Sequence, residues 1–300
     1  MDPVHIDRFI QTTIVCTVCT LAIFGNIINI IVLSRTNKIP VTTCCFMISL
    51  AFSDLGVGIF GVFSIPVAIT TNWVYGNGWC VFCAIQLHVF LSASIASLLL
   101  ISVLRFLAII LPFRYLRWFT HRRVITLIII KWIVLELHAV ILGAAHEQFY
   151  GYLKHAYICY PRYGSTDFEV ITTVSMTVLV FLPSIVIIVI YVRIMRISWV
   201  HSRQISSQLS NRDDVTNRNS TTRLMMSDWR NMKAARMFLV VCGGFQVSWY
   251  PYAVITTINS MRVFHGGATP WTVFSMVWLG ASSSILNVLI RLSGLWQNRQ

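Results

Sequence analysis

Charge is scarce in this sequence: Asp, Glu, Lys and Arg make up 11% of its 300 residues, about half the share of an ordinary soluble domain. With 56% hydrophobic residues and a mean hydropathy of +0.73, the chain carries too much apolar surface to hide in one aqueous core. Internal repeats are absent, and no stretch has the composition of a separate soluble domain. No cluster with metal-ligand spacing and no nucleophile–base pair is recognisable, which argues against an enzyme. The start, Met1 to Arg8, runs into an apolar segment of full spanning length, so no cleavable leader is expected and the first span would act as its own signal. The outer segments contain no Asn-x-Ser/Thr, and the one such sequence, at Asn219, falls on the inner side, so glycosylation is not expected.

What is present is a set of apolar runs, each near the roughly 20 residues needed to cross a hydrocarbon layer about 30 Å thick. Seven occur: Phe9 to Leu33, Val41 to Thr70, Trp79 to Leu111, Val124 to Ala145, Phe168 to Ile197, Ala234 to Ser260 and Pro270 to Leu292. Lipid offers the backbone no hydrogen-bond partner, so runs of this length must be helices. The expected fold is an all-α integral membrane bundle of seven transmembrane helices, one domain over residues 1–300.

The formal net charge of +13 suggests a nucleic-acid binder until its distribution is traced. Placed with the N-terminus outside, the outer segments hold Arg8, Lys154, Arg162 and Arg262, and nearly all the other Lys and Arg lie in or beside inner loops. That asymmetry orients the chain with its N-terminus out and C-terminus in. It points to anionic membrane lipid, worth about 1 kcal/mol per basic residue near the surface, and to a cytoplasmic partner, rather than to nucleic acid.

The one long polar stretch, residues 200–227, reads as a mobile inner loop between the fifth and sixth spans. The outer segment from His146 to Asp167 is long enough to fold over the bundle as a lid. Most of the eight cysteines lie in apolar helices, but Cys80 and Cys159 both fall on the oxidising side. A bridge between them would pin the lid to the third span; Cys83 is the competing partner.

Polar residues and prolines stand where apolar packing would not choose them. They include Gly25-Asn26 in the first span, Leu50-Ala51-Phe52-Ser53-Asp54-Leu55 in the second, Lys131-Trp132 in the fourth, Pro183 with Tyr191 in the fifth, and Phe245 before Ser248-Trp249-Tyr250-Pro251 in the sixth. From Cys80 to Arg105 is about 37 Å of helix at 1.5 Å per residue. Arg105 therefore lies at the inner surface, in Leu104-Arg105-Phe106, followed by Pro112-Phe113-Arg114-Tyr115. In order and spacing these landmarks resemble the rhodopsin-like (class A) family of G-protein-coupled receptors across all seven spans.

The resemblance implies a plasma-membrane receptor that binds an extracellular small ligand and activates a heterotrimeric G protein. The ligand would lie in the outer half of the bundle among Leu87, His88, Leu91, Ser92, Ser175, Trp249, Tyr252, Thr256 and Val277. Ile95, Pro183, Phe245, Trp249, Pro251, Arg105, Tyr191 and Asn287 would carry its signal inward. Arg105, Phe113, Arg196, Lys233 and Arg236 would meet the G protein. Asp54 with Ser94, Asn287, Ser283, Ser284 and Asn26 around it would hold either a sodium ion or a network of water; no other cofactor is implied. Ordinary core packing is the competing reading for Ile95, Pro183 and Phe245, as a satisfied structural histidine is for His88. Glu136 and His138 could belong to the pocket wall or to an interhelical hydrogen bond.

Several positions depart from the family pattern. Leu87 stands where amine receptors carry the Asp that pairs with an ammonium, which disfavours that mode. The four lysines, Lys38, Lys131, Lys154 and Lys233, leave Ala281 where an opsin needs a Schiff-base lysine, so covalent retinal chemistry is excluded. Leu104 replaces the acid before Arg105, and Asn287-Val288-Leu289-Ile290-Arg291 replaces Asn-Pro-x-x-Tyr. These losses keep open a second reading, a receptor-fold binding or scaffolding protein with degenerate transduction. The sequence ends at Gln300, with little room for an eighth helix and no nearby cysteine for lipidation, as a truncated product would. A transporter would need paired charges or broken helices along a path, and deep in the bundle only Asp54 and Glu136 qualify.

Overall fold

The computed structural model describes residues 3–36, 39–146, 148–162, 169–210, 239–258 and 269–297. Seven membrane-spanning helices form the bundle. The first is α1 (Pro3–Arg35). The second is α2 (Val41–Gly61) continued by α3 (Ser64–Thr70). The third is α4 (Asn77–Ile110), followed by a short helix, α5 (Pro112–Trp118), and the fourth is α6 (His121–Ala145). The fifth is α7 (Glu169–Met176), a π-helical turn (Thr177–Phe181) and α8 (Leu182–Ser210). The sixth, α9, covers 239–258, and α10 (Pro270–Gln297) is the seventh.

Prolines account for the irregularities. Pro66 has no N–H to close on the carbonyl of Val62; the Ile65 N–H takes that carbonyl at 3.0 Å instead, and α2 gives way to α3. Pro183 likewise leaves the preceding turn without its usual donor. There the backbone widens, the Leu182 N–H reaching back five residues to Thr177, the geometry of a π-bulge.

The third span is the hub: α4 packs on α2, α6, α8 and the outer loop, while α1 is held between α2 and α10. Apolar side chains also cover the outside of the bundle, as on α6, where Ile129, Ile133, Val134, Leu137 and Ile141 are exposed. In water this would be a liability; in a bilayer it is the solvated face.

Within the segment from His146, β1 (Tyr150–Leu153) and β2 (Ile158–Pro161) pair antiparallel, Tyr150 opposite Pro161 and Leu153 opposite Ile158, so the outer loop of the helical bundle carries a β-hairpin. The expected loop at 200–227 begins later, since α8 runs to Ser210; hydropathy marks where lipid ends, whereas a helix continues through polar residues of adequate propensity. Residues 211–227 lie outside the described residues.

Candidate functional site

A small cavity of about 40 Å³ opens in the outer half of the bundle. Its lining comprises His88, Leu91, Ser92 and Ile95 of α4, Tyr160 of β2, Ser175, Met176, Leu179 and Val180 of the fifth span, and Phe245, Trp249, Tyr252 and Ala253 of α9. Of the residues expected at a ligand, His88, Leu91, Ser92, Ser175, Trp249 and Tyr252 converge here, joined by Ile95 and Phe245. Leu87, Thr256 and Val277 are buried but do not line it. The Thr256 hydroxyl turns back onto its own helix, to the carbonyls of Tyr252 at 2.8 Å and Ala253 at 3.2 Å. Tyr160 was not among the expected residues. Its one signal in the sequence was adjacency to Cys159, which the Cys80–Cys159 disulfide fixes over the end of α4; Cys83 remains a free thiol.

His88 is satisfied structurally and still faces the cavity. The Tyr150 hydroxyl donates to the Ala139 carbonyl at 3.0 Å, so in the 3.0 Å contact between that hydroxyl and His88 Nδ1 the imidazole is the donor. The His138 ring meets that of His88 edge-on at 5.6 Å. Glu136 makes an interhelical contact, accepting from Gln86 Nε2 at 2.9 Å.

The outer hairpin forms a lid. Tyr157 donates to Gln11 Oε1 of α1 at 2.7 Å, the Trp278 indole of α10 donates to the Ala156 carbonyl at 3.0 Å, and Tyr152 donates to the Thr71 carbonyl at 3.0 Å. Burial pushes the phenols of Tyr157 and Tyr160 above their ordinary range and that of Tyr152 up to about 12. All three stay protonated at neutral pH.

Below the cavity the bundle is polar. The Trp249 indole stacks near Phe245, centroids 6.3 Å apart, and donates to the Ser283 hydroxyl at 3.2 Å. Asp54, 1% exposed, accepts from Ser94 Oγ at 2.9 Å and Ser284 Oγ at 3.3 Å. Asn26 Nδ2 donates to the carbonyls of Ala22 and Ser284, leaving Oδ1 buried with no hydrogen-bond partner. The side chain of Asn287 lies outside the described residues. Carboxylate, hydroxyl and amide oxygens gathered among these buried groups are the donor chemistry a hard cation requires. Lys131, 9% exposed, is held elsewhere: its ammonium donates to Ser49 Oγ and Ser97 Oγ, each at 2.8 Å, and lies 4.7 Å from the Trp132 ring centre, joining the second, third and fourth spans.

At the inner end, Leu104 is buried beside Arg105. Tyr191 is enclosed and accepts from the Ser102 hydroxyl at 3.5 Å. Tyr115 shares a 2.8 Å hydrogen bond with Thr42 that fastens α5 to α2, leaving Phe113, on the same short helix, 89% exposed. Arg196 is exposed on α8. Pro183 is half-buried just after the π turn and Pro251 lies within α9. Lys233 and Arg236 lie outside the described residues.

Comparison with known proteins adds an independent line. The family model described as "7 transmembrane receptor (rhodopsin family)" matches residues 25–290. Among curated relatives, the chain is 27% identical to octopamine receptor beta-1R of Drosophila melanogaster, over 94% of this chain and 58% of that protein. It is 26% identical to the thyrotropin-releasing hormone receptor of Mus musculus, over 95% of this chain and 76% of that one. To adenosine receptor A2b of Homo sapiens it is 25% identical, over 91% and 82%. The chain thus spans a little over half the length of the first of these. Among solved structures, squid rhodopsin superposes with a TM-score of 0.80 at 21% sequence identity, over 97% of this chain and 82% of that one, a likeness of fold.

Proposed function

Since the chain belongs to the rhodopsin family of seven-transmembrane receptors, we propose that it works in the plasma membrane, N-terminus outside, as a receptor for an uncharged or weakly polar small ligand and activates a heterotrimeric G protein. The observation that carries this reading is that one side chain, Trp249, joins the cavity to the polar cluster around Asp54. Trp249 lines the first and donates to Ser283, whose neighbour Ser284 donates to Asp54. A ligand pressing on Trp249 would change how α9 sits on α10, and Pro251, which interrupts the α9 hydrogen-bond ladder, supplies the bend. Only a ligand with different affinities for the two arrangements can shift their balance.

Outward movement of the inner end of α9 would open a crevice for the C-terminal helix of the G protein. Arg105 would lie at its floor with Tyr191 nearby, Phe113 would pack from α5, and Arg196 with Lys233 and Arg236 would supply charge at the rim. The matched relatives include receptors named for octopamine, so kinship does not separate the chain from amine receptors. What supports an uncharged ligand is the lining, which among the described residues contains no Asp, Glu, Lys or Arg, together with Leu87 at the position where amine receptors hold their acid.

The deciding experiment measures G-protein activation in cells, with and without a ligand panel, for the parent chain and for Arg105→Ala at matched surface expression. The parent is expected to signal, and Arg105→Ala to lose tenfold or more. Silence from a folded surface protein, basal and evoked alike, would favour the scaffolding reading, which rests on Leu104 and the altered sequence at Asn287.

A further inference from the structure

The cavity beside Trp249 has a roof and an unfinished wall. The roof is Tyr160, whose ring meets Tyr252 at 6.2 Å. Its hairpin is fastened to α4 by the Cys80–Cys159 disulfide, to α1 by Tyr157 and Gln11, and to α10 by Trp278 and Ala156. Ala156, Tyr157, Ile158, Cys159 and Tyr160 are all buried. A solute arriving from the outer water meets a folded hairpin held on three spans.

The wall is the seam between the fourth and fifth spans. Among the described residues, α6 packs on α2 and α4, and α8 packs on α4, but α6 and α7 meet at most glancingly; α7 reaches the third span through Ile171, which packs on the cluster holding Cys80 and Ala84, and through Met176 in the core. The fifth span also meets the sixth, Phe181 stacking with Tyr250 at 5.8 Å. At this seam the π turn places Leu179 and Val180 so that they line the cavity yet remain only half-buried. Both lips are apolar and open to the surroundings: Leu137 and Ile141 on α6, Val174 and Val178 on the fifth span. In a membrane those surroundings are hydrocarbon.

We propose that the cavity is filled from the bilayer: an uncharged lipophilic molecule dissolved in the outer leaflet passes between α6 and α7, beside Leu179 and Val180, while the hairpin keeps water-borne solutes out. The proposal rests on reading this cavity as the ligand site and names the ligand's chemical class and path. A lining without formal charge suits such a molecule, and the few polar groups there, His88, Ser92 and Ser175 among them, could orient one hydroxyl or carbonyl.

The path can be tested without knowing the ligand. Ser92→Cys places a thiol in the cavity of the full chain in lipid vesicles, and the parent protein supplies the background from its native cysteines. Two reagents are compared, a permanently charged trimethylammonium methanethiosulfonate and lipophilic pyrene maleimide, each scaled to its rate at the exposed hairpin position Lys154→Cys. The lipophilic reagent is expected to modify Ser92→Cys at least tenfold more readily than the charged one. Adding Val180→Trp or Leu179→Phe at the seam should slow it about tenfold, whereas Ile188→Trp, on the outer face of α8, should not. Using two seam variants guards against one failing to fold. Ready labelling by the charged reagent, no labelling by either, or a lipophilic rate raised by Gln11→Ala and untouched by the seam variants would each overturn the path. None of these readouts involves signalling, so a silent receptor and a wrong path give different results.

Discussion

Gly280 of α10 lies against the Trp249 indole so closely that an added Cβ would be 2.8 Å from the ring, so the ring would have to shift. Overpacking of this kind costs about 1–3 kcal/mol. Gly280→Ala is therefore expected to displace the ring, weaken its 3.2 Å hydrogen bond to Ser283, lower Tm by a few degrees and raise basal G-protein activation several-fold. A variant matching the parent in both would show that the ring tolerates the methyl. The residue scale is also where the sequence was least specific. His88 could be identified as polar in an apolar face, but its partner Tyr150 is 62 positions away, a separation that no local pattern encodes.

Among elements, the hairpin and the fifth span diverge most from what hydropathy implies. Strands of four residues, with Tyr157 at φ 59° in the turn, leave no alternating pattern long enough to be distinguished from a loop. The lid was foreseeable only as a long segment containing one well-placed cysteine. Closing a loop across a sequence separation of 79 restrains the unfolded chain by about 4 kcal/mol in the loop-entropy account. The ties to Gln11, Thr71 and Trp278 depend on groups brought from three other parts of the chain. One tie carries a pH signature. The Tyr152 phenol, which donates to Thr71, is raised from 10 to about 12, first by burial and then by neighbouring Tyr157. Ionisation is thus opposed in the folded lid, and the contribution of Tyr152 is complete below pH 10 and lost as pH rises from 10 through 12. Hydrogen exchange across the hairpin should accelerate in that window, and Tyr152→Phe should remove this tyrosine's share of the step. An unchanged profile in the variant would assign the step to other groups.

For the whole molecule, an odd number of spans places the two ends on opposite sides of the membrane, and the inner bias of Arg and Lys selects which is which. An epitope tag at the N-terminus should be stained on intact cells and one at the C-terminus only after permeabilisation; the reverse pattern would invert every assignment of inner and outer surface. The same scale governs sodium. An ion among Asp54, Ser94 and Ser284 would join three spans, so its binding would stabilise the whole bundle by linkage. Replacing potassium with sodium at constant ionic strength should raise the Tm of the parent and leave that of Asp54→Asn unchanged. Equal behaviour in both salts would mean that water alone occupies the site.

The sequence by itself determined that this chain lives in lipid, how many times it crosses and where its buried polar groups fall along each helix. Those properties follow from local quantities: the apolar length needed to span hydrocarbon and the missing N–H of proline. Tertiary structure alone decided that Tyr160 roofs the cavity, that Lys131 is held by Ser49 and Ser97, that Thr256 turns away, and that the fourth and fifth spans leave a seam. In a bilayer the hydrophobic effect commits each helix to the membrane but does not choose its neighbour; close packing and long-range hydrogen bonds make that choice, and they exist only once the helices have met.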